Sequence, residues 1–478
     1  MSTRPKPQRI RDPLHNLIEF DSSQFEQVLW KVIQTKPFQR LRRVRQLGFS
    51  ELVFPGATHT RFAHSVGAYY IARRLMKIIK NHIQLKGGQP KDHQEKVALA
   101  ATLVHDVGHG MFSHAFEDVG KKTGLKMAEH EHVSNELICS GEISEVFKEL
   151  GSGFANDVAN VIGRGRPGNL YDAVVSSQFD ADRLDYMQRD RLMTGVQNSG
   201  IDFTWLINNL EVGEIQIGTD EQESGSIETF VIGNKASYAA ETYILALFHL
   251  YPTVYYHKTT RGAEKIFSEI MIRLINLVND NSIEKTALPS NHPIIRFAQD
   301  SNCIEKALAL DDTVFWGALP MLTEAKDPLI NKFSKWLLLR NIPKCIDIKQ
   351  KITAKIRANY GSSPEEIEEC KKKIDRVVIS VKESIEEFLK QTETNSITNS
   401  VPRLLLDQAE RSPYKRFQES KGSLNQINIR QGENILDMAE ASQMVSGLEP
   451  FSLFRAYVTD DTKIREQLDQ IIARETEE

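Results

Sequence analysis

The segment LVHDVGHGMFSH, residues 103–114, places three histidines, one aspartate and two glycines inside an apolar stretch. Imidazole and carboxylate groups together form a ligand set that suits Mg, Mn, Fe, Ni or Zn. His105 and Asp106 are adjacent, so they cannot share one side of a regular helix, but at a helix end both can converge on one ion. His109 lies four residues after His105 and rises from the same face. The segment therefore indicates either a buried polar network or a divalent metal site.

Two further segments could complete a metal shell. THTRFAHSVG places Arg61 and His64 on one face at the start of a helix. FDADRLDYMQRD spaces Asp182, Tyr186 and Asp190 four residues apart, so a carboxylate, an aromatic ring and a second carboxylate share one helix face.

Asp185 and Arg189 lie in that same segment but point at other angles. Their spacing of four residues is typical of an exposed helical ion pair. We therefore expect them to form a surface ion pair.

The composition of the chain argues against several classes of protein. Its 478 residues are 26% charged, and the formal net charge of −4 argues against nucleic-acid binding by bulk electrostatics. The four cysteines show no metal-binding spacing. The N-terminus lacks the apolar region of a secretion signal, and no apolar run approaches the roughly 20 residues that span a bilayer. We expect a cytoplasmic protein that does not contact a membrane.

Helical periodicity dominates the chain and predicts a mainly α fold. An apolar helix is expected to end near Gly108 or Gly110, and a long helix is expected over residues 235–258. Two β-like runs, 214–218 and 228–233, predict a small hairpin.

A change of composition near residue 280, towards Lys, Glu, Ile and Leu, predicts two regions. We expect a core domain over residues 1–280 and a mostly helical accessory or oligomerisation region over residues 281–478. The polar stretch QTETNSITNS, residues 391–400, is the best candidate for a linker.

Six ordered blocks of the sequence resemble the HD superfamily of metal-dependent phosphohydrolases. They are DPLHNLIEF, FQRLRRVRQLG, VFPGATHTRFAHSVG, HDVGHGMFSHAFE, DADRLDYMQRD and YYHKTTRGAEKI. The match is closer to the dNTP triphosphohydrolase branch, although without the SAM domain that some of its members carry. The resemblance implies that residues 1–280 form a helical HD-type core that hydrolyses dNTP to deoxynucleoside and tripolyphosphate with a divalent metal.

Carried over residue by residue, the resemblance implies three groups of site residues. The metal ligands are His64, His105, Asp106 and Asp182. The catalytic residues are Asp106, His109, His114 and His130. The substrate-binding residues are Arg61 and Arg183 on the triphosphate, Gln46, Leu47 and Tyr186 on the deoxyribose, Asp190 on the 3′-hydroxyl and Tyr255 by the base.

Several of these assignments have competitors in the sequence. His132 is a close rival of His130 in EHEHVS, and Arg61 and Arg183 could simply neutralise nearby carboxylates. Tyr255 is one of several nearby tyrosines that could form an aromatic core stripe.

The chain also departs from the branch. Gln34 stands where members with a SAM domain use an aspartate to read a guanine nucleotide, and an amide cannot pair in the same two-acceptor manner. Arg42 is retained as a phosphate contact, so a nucleotide effector remains open. Tyr256 replaces a glutamine, so base recognition could differ.

Two other functions compete with a dNTP triphosphohydrolase. One is a different HD-type phosphohydrolase, namely a nucleotidase, phosphodiesterase or nuclease. The other is a regulator that senses nucleotides or binds nucleic acid, and the basic residues Arg40, Arg42, Arg43 and Arg45 leave single-stranded nucleic acid open as a partner. Branch members assemble through their HD cores, and the C-terminal helices offer amphipathic faces, so we expect a homo-oligomer, a dimer or tetramer.

Overall fold

The computed structural model describes residues 6–217, 225–393, 401–416, 422–459 and 462–477. The chain divides into two compact units, each built from three separate stretches. Unit 1 contains Met1–Tyr256, Asp300–Trp316 and Ser412–Pro450, and unit 2 contains His257–Gln299, Gly317–Arg411 and Phe451–Glu478. These units describe packing, and the expected functional boundary at residue 280 stays a prediction.

Helices make up most of the described chain, which confirms the mainly α class. In chain order the helices are α1 (Gln24–Gln34), α2 (Lys36–Arg40), α3 (Arg61–Leu85), α4 (Asp92–Val104), α5 (His114–Thr123), α6 (His130–Cys139), α7 (Gly141–Phe147), α8 (Phe154–Gly163), α9 (Ala181–Thr194), α10 (Phe203–Asn208), α11 (Ser237–Leu250), α12 (Lys258–Asn279), α13 (Pro293–Gln299), α14 (Ile304–Leu308), α15 (Asp312–Leu322), α16 (Pro328–Leu338), α17 (Ile348–Arg357), α18 (Pro364–Glu393), α19 (Met438–Ala441), α20 (Gln443–Ser446) and α21 (Thr462–Glu477). The strands are β1 (Gln8–Asp12), β2 (Asn16–Phe20), β3 (Leu210–Ile217), β4 (Gly225–Ile232), β5 (Cys345–Asp347), β6 (Leu404–Arg411), β7 (Asn428–Gln431), β8 (Asn434–Asp437) and β9 (Phe451–Val458).

The centre of unit 1 is formed by α3, which packs against both α4 and α9. The second half of α4 is buried without interruption from Val97 to Val104, so this helix lies inside the core. At the start of α9, Asp180 caps the helix by accepting a hydrogen bond from the Arg183 backbone N–H at 2.8 Å. These packings bring the start of α3, the end of α4 and the start of α9 to one place.

The predicted hairpin is confirmed and belongs to a larger sheet. β3 and β4 pair antiparallel, with Val212 opposite Phe230, and the connecting residues 218–224 lie outside the described chain. The other edge of β4 pairs in parallel with β7, which pairs with β8. A second hairpin, β1–β2, was not predicted.

The single helix expected over residues 235–258 is wrong. α11 ends at Leu250, a π-helical turn follows over Tyr251–Tyr255, and α12 begins at Lys258. Pro252 lies in that turn, and proline interrupts a helix because it has no backbone N–H to donate.

Unit 2 combines helices with a three-stranded antiparallel sheet in the order β5-β9-β6. The helices α17, α18 and α21 supply most of an apolar cluster that also includes residues of this sheet. The first three residues of the expected linker, 391–393, belong to α18, and 394–400 lie outside the described residues. In the part of the chain that is described, no helix combines the length and apolar character needed to cross a membrane.

Candidate active site

Four side chains predicted as metal ligands lie together where three helices of unit 1 meet. His64 lies in the first turn of α3, His105 directly follows α4, and Asp182 is the second residue of α9. His64 Nε2 is 2.9 Å and His105 Nε2 is 3.6 Å from the same Asp182 oxygen. The Asp106 carboxylate closes the group, with one oxygen 3.8 Å from His64 Nε2 and the other 3.4 Å from His105 Nε2. A helix end therefore lets His105 and Asp106 converge, as the sequence predicted.

The hydrogen bonds of the two imidazoles direct their Nε2 atoms at this group. His64 Nδ1 donates to Asp185 Oδ2 at 2.9 Å, and His105 Nδ1 donates to the Thr102 carbonyl oxygen at 2.8 Å. Both Nε2 atoms are buried and have no hydrogen-bond partner among the described residues. A buried ring nitrogen without a partner is unfavourable, and a divalent cation held between such nitrogens and carboxylates satisfies it. The residues present fit a divalent metal.

Both carboxylates of the group are ionised at neutral pH. Burial opposes ionisation of Asp182, but His105 and His64 outweigh it and hold the pKa of Asp182 below its ordinary value. Burial also acts to raise the pKa of Asp106. The charges of Arg61 and His105 outweigh burial and hold this pKa far below the usual range. A carboxylate must be deprotonated to bind a metal, and Asp106 and Asp182 meet that condition.

A second cluster adjoins the first and contains the three histidines predicted to be catalytic. Glu117, in the first turn of α5, accepts hydrogen bonds from His130 Nδ1 at 2.5 Å and from His114 Nδ1 at 3.1 Å. His109 Nδ1 is 3.7 Å from the same carboxylate, and the His109 and His130 rings stack with centroids 4.0 Å apart. One carboxylate therefore organises three imidazoles.

His130, and not His132, contacts the carboxylate of this cluster. That carboxylate, Glu117, is a residue that the sequence prediction missed. The His132 side chain is about half exposed, and its Nε2 lies 3.8 Å from Glu136 on the same helix. The sequence prediction did not include Glu117. A signal was present, because Glu117 lies three residues after His114 at the start of a helix, where the two side chains can meet.

The two clusters are joined through His109, whose Nε2 is 3.3 Å from the nearest Asp106 oxygen. Burial, with the charges of Arg61 and His130, lowers the pKa of His109 well below its ordinary value, so this ring is neutral at pH 7. Burial raises the pKa of Glu117, but the hydrogen bonds from the histidines outweigh it, so its pKa is lowered and it is an anion. His109 is therefore a neutral ring between two ionised carboxylates, and it connects the metal group to the second cluster.

The predicted end of the apolar helix near Gly108 or Gly110 is wrong, because α4 ends at Val104. Gly108 serves close packing instead. A Cβ atom there would lie 2.3 Å from the His130 carbonyl oxygen and 2.3 Å from the Ser134 backbone nitrogen. The loop after α4 therefore approaches α6 closely enough to form the second cluster only with glycine at this position.

The loop continues through two non-glycine residues with left-handed backbone, Phe112 (φ 51°) and Ser113 (φ 55°). Such conformations are unfavourable unless neighbours hold them. Asp312, at the start of α15, accepts the Phe112 N–H at 2.7 Å with one oxygen and the Arg45 N–H at 2.8 Å with the other. Ser113 Oγ in turn accepts a hydrogen bond from Arg61 Nε at 2.7 Å. A residue outside the expected core range thus supports the active-site loop.

We expect the Asp312→Asn variant to lose a pH dependence of stability that the wild type has. Burial raises the pKa of Asp312 to about 7, against the opposing backbone hydrogen bonds. Between about pH 4 and pH 7 the folded protein then keeps a proton that the unfolded chain has lost, so this group's contribution to stability falls as pH rises, by at most about 1.4 kcal/mol per pH unit. Thermal midpoints of both proteins from about pH 5 to pH 8 measure this. A difference between them that does not change with pH contradicts it.

The two arginines predicted to hold a triphosphate are each paired with a carboxylate. Arg61 is buried, donating from Nη1 to Asp106 and from Nε to Ser113. Arg183 is about one-third exposed (34%) and its Nη1 lies 2.6 Å from Asp180 Oδ2. Both ion pairs are consistent with the alternative that these arginines neutralise nearby carboxylates. Binding of a triphosphate by Arg61 and Arg183 stays a prediction.

Aromatic and acidic side chains line the other flank of the metal group, along α9. The Tyr186 ring lies edge-on to His64, with centroids 6.4 Å apart, and 6.2 Å from the Tyr255 ring. Asp190 accepts the Tyr255 hydroxyl at 2.9 Å with one oxygen, while His59 Nε2 lies 2.7 Å from the other. Asp182, Tyr186 and Asp190 all lie on α9, at the spacing that the sequence predicted. His59, which was not predicted, contacts Asp190 at the end of this row.

The remaining predicted sugar residues, Gln46 and Leu47, are half-buried. The Gln46 backbone N–H donates to the His59 carbonyl oxygen at 3.1 Å, which connects this segment to the Asp190 partner. The Gln46 Oε1 atom is buried without a partner among the described residues. An amide in that state is available to a ligand, although its role stays a prediction.

The expectation of a surface ion pair between Asp185 and Arg189 is wrong. Both side chains are fully buried, and Arg189 Nε donates to Asp185 Oδ2 at 2.8 Å. The sequence prediction failed because α9 is enclosed on the side facing α3, a tertiary fact that helical spacing does not contain.

Comparison with known proteins agrees with this architecture. Residues 61–187 match the HD domain, and residues 218–307 match the HD associated region. The first range holds every residue of the two clusters described above.

The chain is also similar to individual proteins. It is 35% identical to the uncharacterized protein YwfO of Bacillus subtilis over 277 residues, which are 57% of this chain and 57% of YwfO. It is 29% identical to the deoxynucleoside triphosphate triphosphohydrolase SAMHD1 of Mus musculus over 400 residues, 76% of this chain and 57% of the mouse protein. The match thus spans a little over half the length of each of these two relatives.

A crystal structure of a phosphohydrolase from Bacteroides thetaiotaomicron has the same fold, with a TM-score of 0.68 and 25% identity over 95% of this chain and 100% of that chain. The HD domain match covers the helices that bring His64, His105 and Asp182 together, with Asp106 beside them. The chain therefore contains an HD domain followed by an HD associated region, and it is homologous to SAMHD1 at 29% identity over 76% of its length.

Proposed function

We propose that this protein is a metal-dependent deoxynucleoside triphosphate triphosphohydrolase, which hydrolyses dNTP to deoxynucleoside and tripolyphosphate. The observation that carries the proposal is the junction of two clusters, in which Asp106, a proposed metal ligand, lies 3.3 Å from His109 of the Glu–His cluster. A metal site in contact with proton-transfer groups is what phosphoester hydrolysis requires. The mouse relative named for this activity supports the choice of substrate.

In the proposed reaction, the residues of the chain have separate tasks. When bound by His64, His105, Asp106 and Asp182, a divalent metal would supply charge neutralisation on phosphoryl oxygens and a more acidic water. The other tasks belong to the second cluster, which consists of Glu117, His109, His114 and His130. Glu117 fixes the rings of His114 and His130 by accepting their Nδ1 protons, which leaves each Nε2 to exchange a proton with the substrate or water. His114 is largely exposed and is the group best placed to reach a leaving oxygen.

The deoxyribose specificity is proposed to come from the α9 flank. Tyr186, with Gln46 and Leu47, would pack against the sugar and leave no space for a 2′-hydroxyl, while Asp190 would accept the 3′-hydroxyl. Tyr255 would lie by the base, held by its bond to Asp190. A buried hydroxyl without a partner is disfavoured by roughly 1–3 kcal/mol, or about ten- to a hundred-fold in rate.

The test is to incubate the purified protein with each dNTP, each NTP and each dNMP in the presence of Mg²⁺ or Mn²⁺, and to identify both products. We expect deoxynucleoside and tripolyphosphate from dNTPs, with slower turnover of NTPs. Release of orthophosphate, or equal turnover of a dNTP and its monophosphate, would instead establish the nucleotidase alternative.

Arg183→Ala is expected to reduce kcat/KM for dNTPs roughly ten- to a hundred-fold, because one charge-assisted hydrogen-bonding group contributes about 1.5–3 kcal/mol. Metal content should not change, since Arg183 pairs with Asp180 and not with a metal ligand. Arg273→Ala is the matched control, because Arg273 also pairs with an aspartate, Asp327, but within unit 2. Steady-state kinetics of the wild type and the two variants measure kcat/KM for dNTPs. Similar kcat/KM values for Arg183→Ala and the wild type would show that Arg183 does not bind the triphosphate.

The proposed partners besides the substrate are further copies of this chain, single-stranded nucleic acid and a nucleotide effector. A homo-oligomer is proposed from the similarity to SAMHD1, and light scattering of the active protein tests it. Single-stranded nucleic acid and a nucleotide effector remain candidates. Of the basic residues considered for them, Arg40 is buried and bonded to the Leu310 carbonyl. Arg43 pairs with Asp311 and Arg45 with Glu51. Arg42 is exposed, with its guanidinium 3.5 Å from the centre of the Phe62 ring, so it is the one to test first by mutation.

A further inference from the structure

A buried charged assembly lies directly behind the metal ligand His64. At its centre is Asp185, whose side chain is fully buried. One oxygen of Asp185 accepts hydrogen bonds from His64 Nδ1 at 2.9 Å and from Arg189 Nε at 2.8 Å. The other accepts from His15 Nε2 at 2.6 Å and from Arg189 Nη2 at 2.9 Å. The carboxylate is therefore held by three side chains from three different elements.

The assembly continues away from the metal group. Arg189 Nη1 donates to Asp12 Oδ2 at 2.8 Å, and the other Asp12 oxygen accepts the backbone N–H groups of Leu14 and His15, each at 2.9 Å. The His15 ring also packs on the Tyr70 ring, with centroids 4.7 Å apart. The turn between β1 and β2 is thereby tied to α3 and α9 through Asp185 and Arg189.

The sequence of α3 leaves room for this assembly at one position. Gly67 lies one turn after His64, within a long helix where alanine would be the more favourable residue. A Cβ atom on Gly67 would lie 2.1 Å from Asp185 Oδ1 and 2.2 Å from Arg189 Nη2. Glycine at this point is explained by the close approach of the ion pair and not by backbone conformation.

Stability alone is a weak explanation of this arrangement. Two buried carboxylates and a buried guanidinium must be removed from water, and replacing such groups with apolar residues is often neutral or stabilising. Orientation of the metal ligand is the better explanation. A histidine can bind a metal through Nε2 only if its proton is on Nδ1, and a carboxylate at Nδ1 selects that tautomer and fixes the plane of the ring.

We propose that Asp185 is a positioning residue that orients His64 for metal binding and that Arg189, His15 and Gly67 hold Asp185 in place. The inference rests on the metal site of the proposed function, at His64, His105, Asp106 and Asp182. It assigns to the β1–β2 hairpin and to the buried face of α9 a role in metal affinity.

The test measures the affinity of the full-length protein for Mn²⁺ alone, by calorimetry and by the electron spin resonance of free Mn²⁺. Asp185→Asn is expected to bind Mn²⁺ about ten- to a hundred-fold more weakly, the usual effect of losing the partner of a ligating histidine. Asp407→Asn is the matched control. Asp407 is an equally buried aspartate paired with an arginine, Arg261, but it lies in unit 2 and contacts no metal ligand. It should lose stability and keep its Mn²⁺ affinity.

A spectroscopic signature separates positioning from general destabilisation. The Nδ1 proton of His64, in a strong hydrogen bond to Asp185, should give a downfield proton resonance that is absent in Asp185→Asn and present in Asp407→Asn. Should Asp185→Asn not fold, Gly67→Ala replaces it, because its methyl group displaces Asp185 without removing a charge. Wild-type Mn²⁺ affinity in either variant, or an equal loss of affinity in Asp407→Asn, would overturn the proposal.

His105→Ala distinguishes failure of this inference from failure of the proposed function. If His105→Ala binds Mn²⁺ as the wild type does, the metal site itself is wrong, and the inference falls with it. If His105→Ala loses Mn²⁺ and Asp185→Asn keeps it, only the positioning role is wrong.

Discussion

A double variant, His105→Ala with Asp106→Ala, is expected to bind no divalent metal and to show no dNTP turnover. The two residues supply half of the four proposed ligands, and His105 Nε2 lies 3.4 Å from Asp106 and 3.6 Å from Asp182. Charge stabilisation by a catalytic metal contributes several kcal/mol, so turnover should fall roughly a thousand-fold or more. Metal content by mass spectrometry and product release by chromatography measure the two effects.

The single variant His105→Ala is the control for folding. Asp106 also pairs with the buried Arg61, so its removal leaves a buried guanidinium without its partner and should lower the thermal midpoint of the double variant. His105→Ala leaves that ion pair intact and should lose metal with an unchanged circular dichroism spectrum. Full metal occupancy in both variants would remove His105 and Asp106 from the ligand set.

The second large effect is expected from Glu117→Gln, which should lower kcat about 10²- to 10⁴-fold while the metal remains bound. Glu117 accepts the Nδ1 protons of His114 and His130 with its two oxygens. Glutamine offers one oxygen and an amide group that cannot accept a hydrogen bond, so at least one ring loses its orientation and its tautomer. Because neither ring is a proposed metal ligand, the loss should appear in kcat and not in metal content.

Glu136→Gln is the matched control, since Glu136 also faces a histidine, His132, but on the exposed side of α6. Its kinetic constants should equal those of the wild type. A kcat for Glu117→Gln within a few-fold of the wild type, with both proteins fully loaded with metal, would show that the second cluster is structural.

The sequence was sufficient to predict that His64, His105, Asp106 and Asp182 lie together, because these residues lie at helix ends in short, unusual motifs. His105 and Asp106 occur in an apolar segment where charged and titratable residues are unusual, and His64 and Asp182 each lie within the first turn of a helix. The mainly α class followed from periodicity in the same way. The end of α4 could not be predicted from its glycines. Glycine is required at position 108 because α6 packs closely against it, and not because the helix ends there.

Contacts between residues distant in the chain could not be predicted from spacing. Asp185 and Arg189 have the spacing of a surface ion pair, and only the packing of α3 over them reveals that they are buried. Asp312 supports the loop at Phe112 from 200 residues away. No local pattern marks such a residue, since its partners are backbone N–H groups.

The discontinuity of unit 1 has a consequence for biosynthesis. Its last stretch ends at Pro450, and β7, the parallel neighbour of β4, belongs to that stretch. At about 5–20 residues per second, a ribosome needs roughly 10–30 s to add the approximately 170 residues between position 280 and Pro450. During that interval one edge of β4 has no partner strand, and an unpaired edge is prone to pair with other chains. We expect the nascent chain to depend on chaperones until synthesis is nearly complete, and truncated forms that stop near residue 280 to aggregate.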